Sequence, residues 1–264
     1  MKEITSKDNA AIKQAIKLKQ KKYRQQEGLF LVEGHKMLRE LLLCPEFLVR
    51  VFLTRETAES YYPALSNLPG VECLLVDERL LAILCDTETP QGIAALARIP
   101  QRDMQGFIRQ KSLWLLLDQI QDPGNMGTMI RTAWGFAVDG ILLTADCVDP
   151  FGPKAVRASM GGIFHVPVLE GVGLDLLGDF QAQGYRMLGS MPGAAVSLFD
   201  QDFTGSTIIV IGNESRGISA DVLRLCDNCF KIPINPQADS LNAAMACAII
   251  TVEALRQRSC ALLS

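Results

Sequence analysis

Three segments in the second half of the chain gather Asn, Arg, Glu and Ser beside glycines. The first runs DQIQDPGNMGTMIR, from Asp118 to Arg131. Read as a helix from Asn125 at about 100° per residue, it sets Met126, Met129, Ile130, Ala133, Trp134 and Ala137 on one apolar face. Asn125, Thr128, Arg131 and Thr132 fall on the other. A helix start beside Gly124 and Gly127 offers free N–H groups to an anion, and Arg131 adds a planar fork matched to phosphate. The plainer role for these polar residues is a solvated face. The second segment, TIIVIGNESRGIS, is a β-branched strand running into Gly212-Asn213-Glu214 and then Arg216-Gly217. Glycines there let a ligand approach backbone amides closely; without a ligand they make a strand-to-helix turn with Ser219 as N-cap. The third is IPINPQADSLNAAMACAIITVEA. From Leu241 to Leu255 only Asn242, Thr251 and Glu253 are polar, which predicts a buried helix. Ser240 is a natural N-cap for it, and an amide at Asn242 in the first turn of a buried helix requires partners.

Other chemistries lack their residues. No GxGxxG follows a strand, and neither a P-loop nor a GxSxG elbow occurs. There are two histidines, His35 and His165, so catalysis here relies on orientation and electrostatics rather than on imidazole. Cys226 and Cys229 form a CxxC without a second ligand pair at zinc spacing, and the motif ends a helix-like stretch instead of opening one. No metal is expected.

The elements that must position these residues alternate. In the second half LWLLLDQI, GILLT, HVPVLE, YRMLGSM, TIIVIGN and FKIPI read as strands with helices between them. Strands this apolar are buried on both faces, as in a parallel sheet covered by helices, and ligands in such sheets bind at the strands' carboxyl ends. The first half opens with a charged helix pattern over Ser6–Arg24. It continues with FLVEG, HKMLRELLL, LVRVFLT, a polar stretch, VECLLVD, RLLAIL and GIAALARI, a small α/β pattern. RIPQRDMQG, residues 98–106, reads as a linker, giving domains 1–106 and 107–264.

In that order, DPGNMGTMIRTAWGF, VIGNESRGIS and KIPINPQADSLNAAMA resemble the three motifs of the SpoU/TrmH family of RNA 2′-O-ribose methyltransferases, in the SPOUT superfamily. The resemblance covers roughly residues 112–258. The first half is similar, through ITSKDNAAIK, KYRQQEGLFLVEGHKMLRE and TETPQGIAAL, to the small ribosomal-protein-like RNA-binding extension of such enzymes. The resemblance implies an α/β fold with a parallel sheet and a C-terminal trefoil knot, S-adenosylmethionine as cofactor, an RNA substrate (ribosomal RNA) and a homodimer. By motif position it implies a catalytic set of Asn125, Arg131, Glu214, Ser240 and Asn242, with backbone contacts to the cofactor from Gly212, Ile232 and Leu241. Ile234-Asn235 and Ala243-Ala244 depart from the commoner third motif by small or apolar changes that bear on substrate fit. A base-methylating SPOUT enzyme and a catalytically idle RNA-binding protein are the alternative readings; the intact polar set argues against the idle one.

Composition agrees with a folded, soluble protein: 48% apolar and 21% charged residues exclude disordered, collagen-like and disulfide-framework chains. The longest apolar run, Ala243 to Ile250, is far short of a membrane span, and the N-terminus lacks an apolar signal core. A cytoplasmic protein free of the membrane is expected. The net charge is −3, yet residues 1–24 hold eight Lys or Arg against two Asp or Glu. That pattern predicts a basic arm for RNA.

Overall fold

The computed structural model describes residues 1–101, 111–237 and 240–261. It divides into two compact units, Met1–Gln101 with Asp149–Phe164, and Arg102–Val148 with His165–Ser264.

The first unit runs β1 (Lys2–Ile4), α1 (Ala10–Lys17), α2 (Lys21–Glu27), β2 (Leu29–Glu33), α3 (His35–Leu43), β3 (Leu48–Leu53), α4 (Arg55–Leu65), β4 (Glu72–Val76), α5 (Glu78–Leu84) and β5 (Ile93–Arg98). Its sheet has the order β1-β4-β3-β5-β2, with β5 antiparallel to both neighbours and the other pairings parallel. Here the sequence reading needs correction. The basic segment is two helices, and it is no free arm: β1 pairs with β4, and α1 buries Ile12 and Ala15 in the core with Leu18. Arg24 is itself buried, donating from Nε to Asp149 at 2.9 Å and from Nη1 to the Leu18 carbonyl at 2.7 Å. The polar stretch conceals α4, which carries Pro63.

The segment Asp149–Phe164, which the sequence assigns to the second domain, packs in the first unit. It contains α7 (Pro153–Ser159) and most of α8 (Gly162–His165). Its anchors are the Arg24–Asp149 pair, Phe151 and Phe164 against Phe30, and Arg157 against Asp86 at 3.1 Å. Most of the expected linker lies outside the described residues.

The second unit runs β6 (Leu113–Leu117), α6 (Pro123–Gly135), β7 (Gly140–Leu143), β8 (Val168–Leu169), α9 (Leu174–Ala182), β9 (Arg186–Ser190), β10 (Val196–Ser197), β11 (Thr207–Ile211), α10 (Ala220–Leu225), β12 (Asn228–Lys231) and α11 (Ala243–Ala261). The expected parallel sheet is present: every pairing in the order β10-β12-β9-β11-β6-β7-β8 is parallel. β6 and β11 are buried at every residue. Alternate residues serve opposite faces: Trp114, Leu116, Ile208 and Val210 pack with Leu177 and Phe180, leaving Leu115 and Ile209 to the other side. Trp114 fits because its cross-strand partner is Gly140; a Cβ there would lie 2.2 Å from the indole. This parallel arrangement brings the carboxyl ends of β12, β9, β11 and β6 to one edge, where the three motif segments begin.

Candidate active site

Each motif segment leaves a buried strand and turns polar where the sheet ends. After β6, the buried Asp118 accepts the Ser219 N–H at 2.7 Å, and the Gln119 N–H donates to Thr144 Oγ1 at 3.0 Å. The chain then enters α6, one turn earlier than the apolar pattern starts. Asp122 is its N-cap, accepting the Asn125 N–H at 2.8 Å, with Pro123 in the first turn.

After β11, Asn213 organises the loop. Its Oδ1 accepts the N–H groups of Ser215 and Arg216 at 2.9 and 3.1 Å, its Nδ2 donates to the Gln119 carbonyl at 2.8 Å, and its backbone bridges to Gly217. The loop closes tightly over Gly212. A Cβ at that position would lie 2.3 Å from the Gly217 carbonyl carbon and 2.4 Å from the Ile218 nitrogen. Only glycine fits. Ser219 is the N-cap residue of α10, as expected, but its side chain makes no capping bond.

At α11 the cap differs from expectation. Asn242, not Ser240, accepts the first-turn N–H groups, of Ala244 at 2.9 Å and Met245 at 3.2 Å. Both residue types cap well, so the sequence left the choice to the exact helix start. Ser240 is exposed and makes no hydrogen bond to a described residue.

These loops bring three of the expected residues together. Asn125 Nδ2 donates to Glu214 at 2.6 Å, and Asn242 Nδ2 donates to Asn125 Oδ1 at 3.0 Å. Because Glu214 accepts only and the Asn242 oxygen is taken by the helix cap, the orientation of both amides follows from the network. One short chain of bonds thus joins the three motif segments. Arg131 lies six residues beyond Asn125, about 9 Å along the helix axis. It is exposed and has no partner among the described residues, so its guanidinium is open to an anion. Gly212, Ile232 and Leu241 sit directly after β11, directly after β12 and directly before the α11 cap.

The helical-wheel reading of α6 fails at its edges. Trp134, about 80° from the centre of the apolar stripe, is 37% exposed and stacks on His165 with ring centroids 4.4 Å apart. Thr132, expected on the polar face, is buried. Sequence reasoning also assigned no role to Asp118, Asn213 and Thr144, which hold the strand ends. The signal was there: polar side chains at the last positions of wholly apolar strands need partners.

An adenosine bearing a sulfonium, the cofactor implied by the resemblance, fits this edge. Ile218, Ile232, Ile234 and Leu241 are half-buried apolar side chains beside loop backbone that can donate and accept, the usual composition of a cofactor cleft. Gly212 puts no side chain in the way. Among the described residues, no group of three or more His, Cys, Asp and Glu is arranged to hold a metal ion. Cys226 and Cys229 flank Gly189 of β9, each sulfur 3.1–3.2 Å from where a Cβ would stand. Burial, with Cys229 and Asp227 nearby, pushes the Cys226 thiol up to about 12. A concavity of about 650 Å³ lies in the first unit, lined by His35, Thr54, Glu56, Glu78 and Gln91, and contains none of the motif residues.

Comparison with known proteins agrees with this geometry. Residues 112–252 match the SpoU rRNA Methylase family, and residues 9–95 match an MRM3-like substrate binding domain. The chain is 37% identical to an uncharacterized tRNA/rRNA methyltransferase of Synechocystis sp., over 97% of this chain and 94% of that protein. It is 32% identical to the 23S rRNA (guanosine(2553)-2′-O)-methyltransferase of Bacillus subtilis, over 95% of this chain and 98% of that protein. An AdoMet-bound rRNA methyltransferase of Sinorhizobium meliloti has the same fold, with a TM-score of 0.86 at 28% identity over 97% of both chains.

Proposed function

The chain belongs to the SpoU rRNA methylase family, and we propose that it transfers a methyl group from S-adenosylmethionine to a ribose 2′-hydroxyl of large-subunit ribosomal RNA. The observation that carries this is the bonded trio Glu214–Asn125–Asn242, which unites the three motif segments on the helix that carries Arg131, exposed and with no partner among the described residues.

S-adenosylmethionine, when bound, supplies an electrophilic methyl whose departure leaves a neutral thioether, so no acid is required. In this reading the backbone at Gly212, Ile232 and Leu241 holds it. What the protein must add is orientation and activation of a weakly acidic hydroxyl. A guanidinium stays protonated in proteins. Arg131 therefore binds the phosphate beside the target ribose and stabilises the alkoxide as it develops, while the proton leaves to phosphate or water. Glu214 fixes the Asn125 amide by accepting from it, and Asn242 ties that amide to the start of α11. Ser240 adds an exposed hydroxyl next to Leu241.

Residues 1–106 serve as the RNA-binding domain and 107–264 as the methyltransferase domain, apart from Asp149–Phe164, which packs in the first unit; the two family matches support a division near residue 106. The protein acts as a homodimer. In support, Met245, Ile249 and Val252, at i, i+4 and i+7 of α11, are exposed while Cys247, Ile250 and Ala254 opposite are buried; a helix apolar on both sides needs a second covering surface. The C-terminal segment forms a trefoil knot. The chain leaves β12 three strands from β6, yet Asn242 returns to the start of the helix that follows β6, which supports a threaded path. We place the protein in the cytoplasm; its seven described cysteines are all free, as in a reducing compartment.

The test is transfer of a labelled methyl group from S-adenosylmethionine to an unmodified 23S rRNA transcript, followed by digestion to nucleosides. A 2′-O-methylnucleoside is expected. A base-methylated nucleoside, or no transfer by folded protein, overturns the proposal.

A further inference from the structure

Trp134 has no part in the machinery described above, yet its setting is unusual for so large an apolar side chain. It is 37% exposed on α6 and held flat against His165, the two rings 7° from parallel. That stack fixes the plane of the indole while leaving much of its surface open. Arg131 is three residues earlier on the same helix, and i,i+3 side chains are neighbours with Cβ atoms about 5–6 Å apart. Side by side, then, α6 presents a guanidinium with no partner among the described residues and an oriented aromatic plane.

We propose that Trp134, backed by His165, is a stacking platform for an unpaired base of the RNA substrate, next to the nucleotide whose phosphate Arg131 holds. The inference rests on the RNA reading above and extends it. Sequence-specific RNA recognition targets unpaired segments whose bases stack on aromatic side chains, and the platform tolerates any base because each has a π-face. Trp134 is a positioning residue: it holds the strand so that the ribose oxygen meets Arg131, and it takes no part in the transfer. A purine flanking the target nucleotide stacks most strongly, so the platform favours targets with a purine neighbour.

The structure supplies its own reporter. The chain has two tryptophans, Trp114 and Trp134, and Trp114 is fully buried. Full-length protein is titrated with a ten-nucleotide oligoadenylate and with an abasic ribose-phosphate oligomer of the same length. Saturable quenching of tryptophan emission by oligoadenylate alone is expected, and its loss in Trp134→Phe assigns it. In methyl transfer to the 23S rRNA transcript, Trp134→Ala should raise KM for RNA about tenfold, within the range measured for single base–aromatic stacks. Its kcat and cofactor affinity should stay within about twofold of wild type, and Trp134→Phe should restore most of the loss. Equal quenching by the abasic oligomer, or an unchanged KM in the Ala variant, overturns the proposal. So does a dimer that dissociates on Trp134→Ala, which would assign the ring to a second copy of the chain. The quenching experiment needs no turnover: if wild-type protein methylates nothing, the functional reading fails while the platform is still decided.

Discussion

The loop after β11 is the most constrained part of the site, and replacing Gly212 by Ala tests it. An added Cβ would lie 2.3–2.5 Å from three backbone atoms of Gly217 and Ile218, where 3.4–4 Å is ordinary contact. Backbone cannot swing aside as a side chain can, so the loop must open by about 1 Å. Four bonds depend on its present shape: the pair between Asn213 and Gly217, at 3.0 and 2.9 Å, and those from Ser215 and Arg216 to Asn213 Oδ1. At about 1 kcal/mol net for each, losing two to four of them disfavours the competent loop by roughly 2–4 kcal/mol. At one decade per 1.36 kcal/mol this is about a 30- to 900-fold fall in methyl transfer, with a matching loss of cofactor affinity if the Gly212 backbone holds it. The strand beneath is buried at every residue, so the variant should still fold, but bonds lost from the native state come out of its unfolding free energy, and the melting temperature should fall by several degrees. The assay is calorimetry with S-adenosylmethionine beside single-turnover transfer and a melting curve. Wild-type affinity and rate in a folded Ala variant would refute the reasoning.

Gly178 in α9 is the counterexample. A Cβ there meets nothing within 4 Å, so Gly178→Ala should stabilise the protein by about 0.5–1 kcal/mol in urea unfolding; a lower midpoint would contradict it. Arg24→Ala leaves the half-buried Asp149 with the Phe151 N–H but without its cationic partner and should cost roughly 2–4 kcal/mol; a loss under 1 kcal/mol would mean that Asp149 reaches water. Since its pKa is pushed up to about 12, Cys226 stays protonated at pH 8. Iodoacetamide should leave it unmodified in native protein while alkylating it fully in denaturant, as read by peptide mass spectrometry.

What was legible in the sequence was local. The strands β6 and β11, apolar but for Thr207, and the polar residues at their ends gave the parallel sheet and the segments of the site, because burial on two faces leaves a nearly unbroken apolar run. Long-range pairing was not legible. Lys-rich α1 and α2 look like a solvated arm, since their few buried residues count for more than their many charges only once the sheet they cover is known. The pairing of Arg24 with Asp149, 125 residues away, leaves no local trace, and neither does the segment it anchors. Trp134, at the border of a periodic stripe, was misplaced for a different reason, since a 100° step fixes the stripe's centre but not its width, and Thr132 is buried on the side away from that stripe, which periodicity does not report. The choice of Asn242 over Ser240 as cap turned on a helix boundary, which sequence locates only within a few residues.

The most direct test of the site is Arg131→Ala. The residue is exposed, has no partner among the described residues and lies on a helix whose opposite face is packed, so its loss should cost little stability. Single-turnover methyl transfer to the 23S rRNA transcript should fall by ~10²-fold or more, as when a donor to developing charge is removed. S-adenosylmethionine affinity, measured on the same preparation, should stay within about twofold of wild type, and Arg131→Lys, which keeps the charge but loses the fork, should recover only part of the rate. Wild-type turnover in the Ala variant, or a rate loss matched by lost cofactor affinity, would contradict the role assigned to Arg131.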